Sequence, residues 1–171
     1  MKDLQHLIHD IPDFPKKGII FKDITPLLLN SKAVSLCLDS FLEQLKGIKI
    51  DKVVGIESRG FLFGMLLAQR LGVGFIPIRK PGKLPNKIIS ESYNLEYGTD
   101  ALEIHENAIS EGDCILIHDD VLATGGTAKA ACKLVERLNG KVMALNFLIE
   151  LEFLGGSKSL KAHKIQSIFK Y

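Results

Sequence analysis

The chain has 171 residues, enough to bury a core without disulfide or metal staples, and its 46% hydrophobic and 25% charged content excludes a disordered chain. With 22 basic against 20 acidic residues the net charge is +2, which gives no ground for a nucleic-acid partner. No uncharged apolar run reaches the ~18 residues that span a bilayer. No apolar core of signal-peptide type opens the chain. Cys37, Cys114 and Cys132 cannot all pair and fit no zinc spacing. Buried free thiols, a reducing compartment and a soluble cytoplasmic protein are the expectation.

No repeat or long linker interrupts the chain, so one domain over 1–171 is expected. Leu4, Leu7, Ile8 and Ile11 recur at helical spacing and predict a short amphipathic helix, stopped by Pro12 and Pro15. His6 and His9 share that helix but lack a third ligand, so they read as surface residues. A turn leads to the short apolar segment Ile19, Ile20 and Phe21. Thr25-Pro26 resembles a helix start. A longer helix follows over 31–45, with Val34, Leu38, Phe41, Leu42 and Leu45 on one face.

Strand and helix signals then alternate. Strands are predicted over 52–56, 75–78, 114–117 and 142–149, and helices over 61–71 and 127–138. Unbroken apolar strands separated by helices predict an α/β fold with a parallel sheet covered on both faces. The stretch 79–106 breaks the rhythm with Pro81, Gly82, Pro85 and Gly98, then two polar-alternating runs. It reads as a long loop and an antiparallel hairpin, and a loop of that length inside a compact domain is usually functional.

The chemistry concentrates in 114–127, CILIHDDVLATGGT. A buried strand runs into Asp119 and Asp120, and a short loop then reaches a helix start. Ligands of open α/β sheets bind at the carboxyl ends of strands. Glycines let backbone approach an anion, and the helix start adds N–H groups and partial positive charge. The loop lacks the Gly-Lys-Ser/Thr ending of a nucleoside-triphosphate loop and the GxGxxG of a dinucleotide fold, so it would grip a single phosphate. Gly125-Gly126 would serve equally as a tight turn. Two adjacent carboxylates repel each other and call for a partner, either a magnesium ion or a vicinal diol; an ordinary solvated acidic pair is the alternative.

The strand, the acidic pair and Ala123-Thr124-Gly125-Gly126-Thr127 together resemble the phosphoribosyl-pyrophosphate motif of type I phosphoribosyltransferases. DFPKKGIIFKDITPLL (13–28), GIESRGFLFG (55–64), IRKPGKLP (78–85), SYNLEYGTDALEIHENAI (92–109) and LIELEFLGG (148–156) narrow the resemblance to the adenine phosphoribosyltransferases. It implies the type I fold: a mainly parallel twisted sheet with helices on both faces, an N-terminal hood over about 1–30, and a basic loop and lid hairpin over about 79–106. The implied reaction joins adenine to phosphoribosyl pyrophosphate, giving AMP and pyrophosphate in purine salvage, with magnesium as cofactor and a homodimer as the assembly. No nucleic-acid or membrane partner is implied.

The resemblance also implies roles. Ala123, Thr124, Gly125, Gly126 and Thr127 would cradle the 5′-phosphate. Asp119 and Asp120 would hold the ribose hydroxyls, directly or beside magnesium. Glu57, Ser58 and Arg59, with Arg79, Lys80 and Lys83, would serve pyrophosphate, Arg59 by bidentate bonds. Phe21 would face the adenine ring, Ile20 and Lys22 would offer backbone groups to its edge, and Leu151 would cover the other face. Glu96 matches a carboxylate that manages a purine proton, within a lid over 84–97 that keeps water out. An ordinary turn is the alternative for Ser58-Arg59-Gly60, a solvated loop for Arg79, Lys80 and Lys83, a solvated hairpin residue for Glu96, and core packing for Ile20 and Phe21.

The sequence departs from the family in places. Lys22 stands where many relatives carry Arg. His118 replaces an apolar residue and reads as a core histidine bonded to backbone rather than a catalytic one. Pro81 and Asn86-Lys87-Ile88 alter the basic loop and lid, which bears on rate more than on reaction class. Two other functions remain open: transfer to another purine base, and a non-catalytic sensor of phosphoribosyl pyrophosphate.

Overall fold

The structure, a computed structural model, describes residues 2–94 and 99–171. Five strands form its central sheet: β3 (Lys52–Ile56), β4 (Gly74–Ile78), β7 (Cys114–Leu122), β8 (Lys141–Glu150) and β9 (Ile165–Lys170). Their order is β4-β3-β7-β8-β9, and every pairing is parallel. From β3 the chain moves outward to β4, then returns to the other side of β3 as β7 and continues outward to β9. The loops leaving β3 and β7 therefore diverge, opening a crevice at the carboxyl ends of the two central strands.

Side chains alternate across this sheet and feed two cores. Val53, Leu116, Ala144 and Leu148 face α2 (Ser31–Gln44) and α3 (Gly60–Leu71), joining Cys37, Phe41, Phe63 and Leu67. Val54, Ile56, Ile115, Ile117, Leu145 and Phe147 face α4 (Gly126–Arg137), with Ala128, Ala131, Leu134 and Val135. Burial on both faces is why β3 and β7 read as unbroken apolar runs. Asn30 caps α2, its side-chain oxygen accepting from the Ala33 amide at 3.1 Å.

Two expectations need correction, and one strand was not foreseen. Residues 4–11 are not one helix: Lys2–Leu7 is a 3-10 turn, and β1 (His9–Pro12) pairs antiparallel with β2 (Ile20–Asp23), placing Ile11 opposite Phe21. A helix this short is marginal by itself, and strand pairing outweighs its periodicity; Ile11 is 39% exposed and anchors no core. The β7 strand does not stop at Ile117 but carries both acids and ends at Leu122, because β8 supplies partners as far as Glu150. The edge strand β9 carries Gln166 and Ser167 among its apolar residues, which masks its signal.

The segment Thr25–Leu28 is a single helical turn, α1, whose first amide donates to Asp23 at 2.9 Å. The expected hairpin is present as β5 (Ile88–Asn94) and β6 (Thr99–His105), antiparallel. It covers the α4 side of the sheet, with Tyr93, Leu102 and Ile104 in that core. All three cysteines are buried and free. Burial pushes the Cys37 and Cys132 thiols up to about 12. Among the described residues no helix is long and apolar enough to cross a membrane.

Candidate active site

Two turns meet at the carboxyl end of the central strands. The first, Glu57-Ser58-Arg59, leaves β3 and enters α3; the Glu57–Ser58 peptide is cis. The second, Ala123-Thr124-Gly125, leaves β7 and enters α4. They touch through the acids. A Cβ on Gly60 would come within 2.9 Å of an Asp119 carboxylate oxygen and of the His118 carbonyl. Only glycine lets α3 begin so close to β7.

Arg59 joins three parts of the site. Its Nη2 pairs with Asp120 Oδ2 at 2.7 Å. Its Nη1 donates to the Lys22 carbonyl at 3.2 Å. Its guanidinium lies over the Phe21 ring, 4.6 Å from the centroid. Phe14 meets Phe21 edge-on at 5.1 Å. The N-terminal β1–β2 ribbon is thus tied to the acidic pair through one side chain. Lys22 points its own ammonium elsewhere, to Asp10 at 2.6 Å and over the Tyr171 ring at 3.6 Å. Ile20 is exposed, and Leu151 is half-buried against the α2–α3 core, its amide donating to the Leu122 carbonyl at 2.9 Å.

The acids are electrostatically strained. Burial and the charge of Asp120 push the Asp119 carboxyl well above the usual range. Burial raises Asp120 as well, against the downward pull of the Arg59 guanidinium. His118, directly before them, is fully buried between Phe41 and Phe63, with ring centroids 5.3 and 6.3 Å away. Its Nδ1 lies 2.7 Å from Asn146 Oδ1, so a side-chain partner joins the expected backbone hydrogen bond, which is also to Asn146. Burial lowers its pKa to about 4, so the ring is neutral, with Nδ1–H donating to Asn146.

The 123–127 turn is held by packing. Gly125 has φ +86°, and a Cβ there would overlap Ser159 Oγ and approach the Gly156 carbonyl at 2.8 Å. Both belong to α5 (Gly156–Ser159), a short turn pressed onto the loop. Gly156 is equally tight, since a Cβ there would overlap the Ala123 carbonyl. No side chain caps the N-terminus of α4. Its first N–H groups lack intrahelical acceptors and remain available to an anion. The sequence missed α5 as a support; Gly155-Gly156 was its signal.

The second basic cluster is pinned by acids. Glu57 accepts from Arg79 Nε at 3.1 Å, from Arg79 Nη2 at 3.2 Å and from the Lys80 amide at 2.8 Å. Those Arg79 bonds hold its carboxyl below the usual range. Glu57 thus braces the basic loop. The Lys80 ammonium binds Tyr93 and Asp100 on the hairpin, and Lys83 is exposed. Glu96, and with it the 95–97 part of the expected lid, lies outside the described residues. A cavity of about 470 Å³ lined by Asn86, Lys87, His105, Glu106 and Asn107 includes no residue of the acidic corner.

The acidic pair, the uncapped helix and the arginine-bearing turn occur in one crevice, and comparison with known proteins defines its lineage. Residues 31–164 match the phosphoribosyl transferase domain. Over 168 residues the chain is 61% identical to the adenine phosphoribosyltransferase of Flavobacterium johnsoniae, covering 98% of this chain and 99% of that one. The chain belongs to the adenine phosphoribosyltransferase family. The crystal structure of the enzyme from Thermoanaerobacter pseudethanolicus superposes with a TM-score of 0.98 at 53% identity, covering 99% of both chains. That of Saccharomyces cerevisiae, complexed with an imino-altritol bisphosphate and adenine, superposes at 0.92 with 44% identity, covering 96% of this chain and 95% of that one. Family membership and the observed sheet together make this a type I phosphoribosyltransferase fold.

Proposed function

We infer that this chain transfers the phosphoribosyl group of 5-phosphoribosyl 1-pyrophosphate to adenine, releasing AMP and pyrophosphate, in purine salvage. The observation that carries this reading is the convergence of the Asp119–Asp120 pair, the uncapped start of α4 and Arg59 in one crevice. A sensor reading has no comparable support, since the relatives that the chain matches over full length are adenine phosphoribosyltransferases.

We assign the 5′-phosphate to the backbone N–H groups of Ala123, Thr124, Gly125, Gly126 and Thr127, with the two threonine hydroxyls as further donors. Asp119 and Asp120 take the ribose hydroxyls. Two adjacent carboxylates also place negative potential beside the sugar, where positive charge develops at C1′ as its bond to pyrophosphate breaks. Arg59, Arg79, Lys80 and Lys83 receive the leaving pyrophosphate, and Ser58 lies on the same turn as Arg59. Phe21 stacks on adenine, Ile20 and Lys22 offer backbone groups to its edge, and Leu151 closes the opposite face. Holding both substrates in line supplies much of the acceleration. Residues 1–30 form the hood of this single domain, and 84–97 its lid, with Glu96 handling the purine proton.

Among the described residues no three His, Cys, Asp or Glu side chains gather as a metal cage. The paired carboxylates suit the charge of a magnesium ion, and Asp119 and Asp120 are the residues that would hold it. When bound, magnesium neutralises charge growing on the leaving group. A homodimer is supported by Leu62, Met65 and Leu66, which α3 leaves 44%, 53% and 40% exposed. Buried free thiols support a reducing, cytoplasmic setting.

A panel of adenine, hypoxanthine and guanine, each with phosphoribosyl pyrophosphate and magnesium, tests the assignment. AMP is the expected main product. Preferred conversion of hypoxanthine would refute adenine as the substrate, and nucleotide binding without turnover would favour a sensor.

A further inference from the structure

Lys80 leaves the loop after β4 and turns onto the hairpin. Its ammonium donates to the Tyr93 hydroxyl at 2.8 Å and to the Asp100 carboxylate. The Tyr93 hydroxyl donates to the same carboxylate oxygen at 3.1 Å, and the other oxygen accepts from the Ala101 amide at 2.8 Å. Asp100 is therefore fixed from both sides, while Lys80 spends two of its three N–H donors and its charge on it.

This contact sits at the turn end of the hairpin, where Tyr93 pairs with Asp100 across the strands. Further along, Glu91 holds the hairpin to α4 through Lys133 at 2.7 Å and Arg137 at 3.3 Å. The two tethers differ in what they bind. Glu91 grips a helix, whereas Asp100 grips a side chain that the proposed function gives to pyrophosphate. An ammonium is a compact point charge that binds either anion. The pair's side chains are 36% and 28% exposed, so it is weak enough to exchange.

We propose that Asp100 is a positioning residue that competes with the pyrophosphate group of the substrate for Lys80, keeping that ammonium on the hairpin in the free enzyme until pyrophosphate takes it. The inference rests on the pyrophosphate reading of Lys80. With Lys80 withdrawn the hairpin stays in place, held by the two backbone hydrogen bonds between Arg79 and Glu103 at 2.9 and 2.8 Å, by the Glu91 ion pairs and by the buried Leu102 and Ile104. Asp100 thereby sets how readily the Lys80 ammonium is available to arriving substrate.

Steady-state kinetics of Asp100→Asn, Asp100→Glu, Lys80→Gln and the Lys80→Gln/Asp100→Asn double variant test it. Asp100→Asn is expected to lower the KM for phosphoribosyl pyrophosphate and the inhibition constant of pyrophosphate by about three- to fivefold, with kcat changing less. Asp100→Glu restores the carboxylate and stays near the parent. In the Lys80→Gln background Asp100→Asn is expected to change neither constant. An unchanged or raised KM in Asp100→Asn, where Lys80→Gln raises it, overturns the inference alone. Persistence of the Asp100→Asn effect without Lys80 overturns it too, since general loosening would then be the cause. Unchanged constants in Lys80→Gln would remove Lys80 from the pyrophosphate site and the inference with it.

Discussion

The two halves of the site are built on different principles. Around β7 and α4 the binding groups are backbone N–H, the buried Asp120 and the half-buried Asp119, fixed by neighbours that a single Cβ would displace, as at Gly60, Gly125 and Gly156. Around the basic loop they are long, partly exposed side chains. Arg79 rests on Glu57 and Lys80 on Asp100. The first half is shaped before substrate arrives, and the second must exchange its counter-anions to act. A fixed half orients the sugar phosphate without reorganisation. An exchangeable half admits a leaving group, which an enzyme must also release.

The fixed half is easiest to break at Gly125. Gly125→Val places a branched side chain at φ +86° and against Ser159 and Gly156. Strain and overpacking together are expected to cost about 3 kcal/mol of stability, and titration calorimetry should find AMP binding weakened by more than about 100-fold. Near-parental AMP affinity would show that this turn is not the phosphate cradle. A smaller effect is expected from Asp120→Asn, which keeps the shape but removes the charge paired with Arg59. A fall in kcat of about 10²-fold with the melting temperature little changed is the expected result. Unaltered kinetics in saturating magnesium would exclude the acidic pair from catalysis.

Legibility in the sequence follows the same division. The β7–α4 corner could be read from one contiguous stretch, because apolar strand, acids and glycines adjoin in the chain. The α2 helix and the 52–56 strand were equally plain, since each carries a long periodic or unbroken apolar pattern. What stayed hidden depends on partners far apart in sequence. Arg59 was expected to face phosphate, yet it also ties Lys22 and Phe21 to Asp120, a contact no local pattern announces. The Glu57 carboxylate also braces Arg79 and the Lys80 amide, partners more than twenty residues away. Ile11 kept helical spacing while its strand paired with Phe21. The support of the 123–127 turn by α5 lies more than thirty residues downstream.

His118 tests whether the fixed half owes its rigidity to a buried polar pair. The ring is hydrogen-bonded to Asn146, while His118 Nε2 and Asn146 Nδ2 have no partner among the described residues. Unmet buried groups reduce what that bond contributes, whereas replacing both partners by apolar residues is close to neutral. His118→Leu/Asn146→Val is therefore expected to unfold in urea within about 1 kcal/mol of the parent at pH 7. The difference should grow in acid. In the folded chain His118 takes up a proton only near pH 4, while in the unfolded chain it does so near 6.5. Between those values the unfolded state binds more protons, so the parent loses stability as pH falls, by about 2 kcal/mol at pH 5 from this residue alone. The carboxylates of Asp119 and Asp120 are common to both proteins and drop out of the comparison. The double variant should consequently overtake the parent at pH 5. Equal acid slopes would mean that the histidine is charged in the fold, and the packed corner would then contain a cation beside its acids.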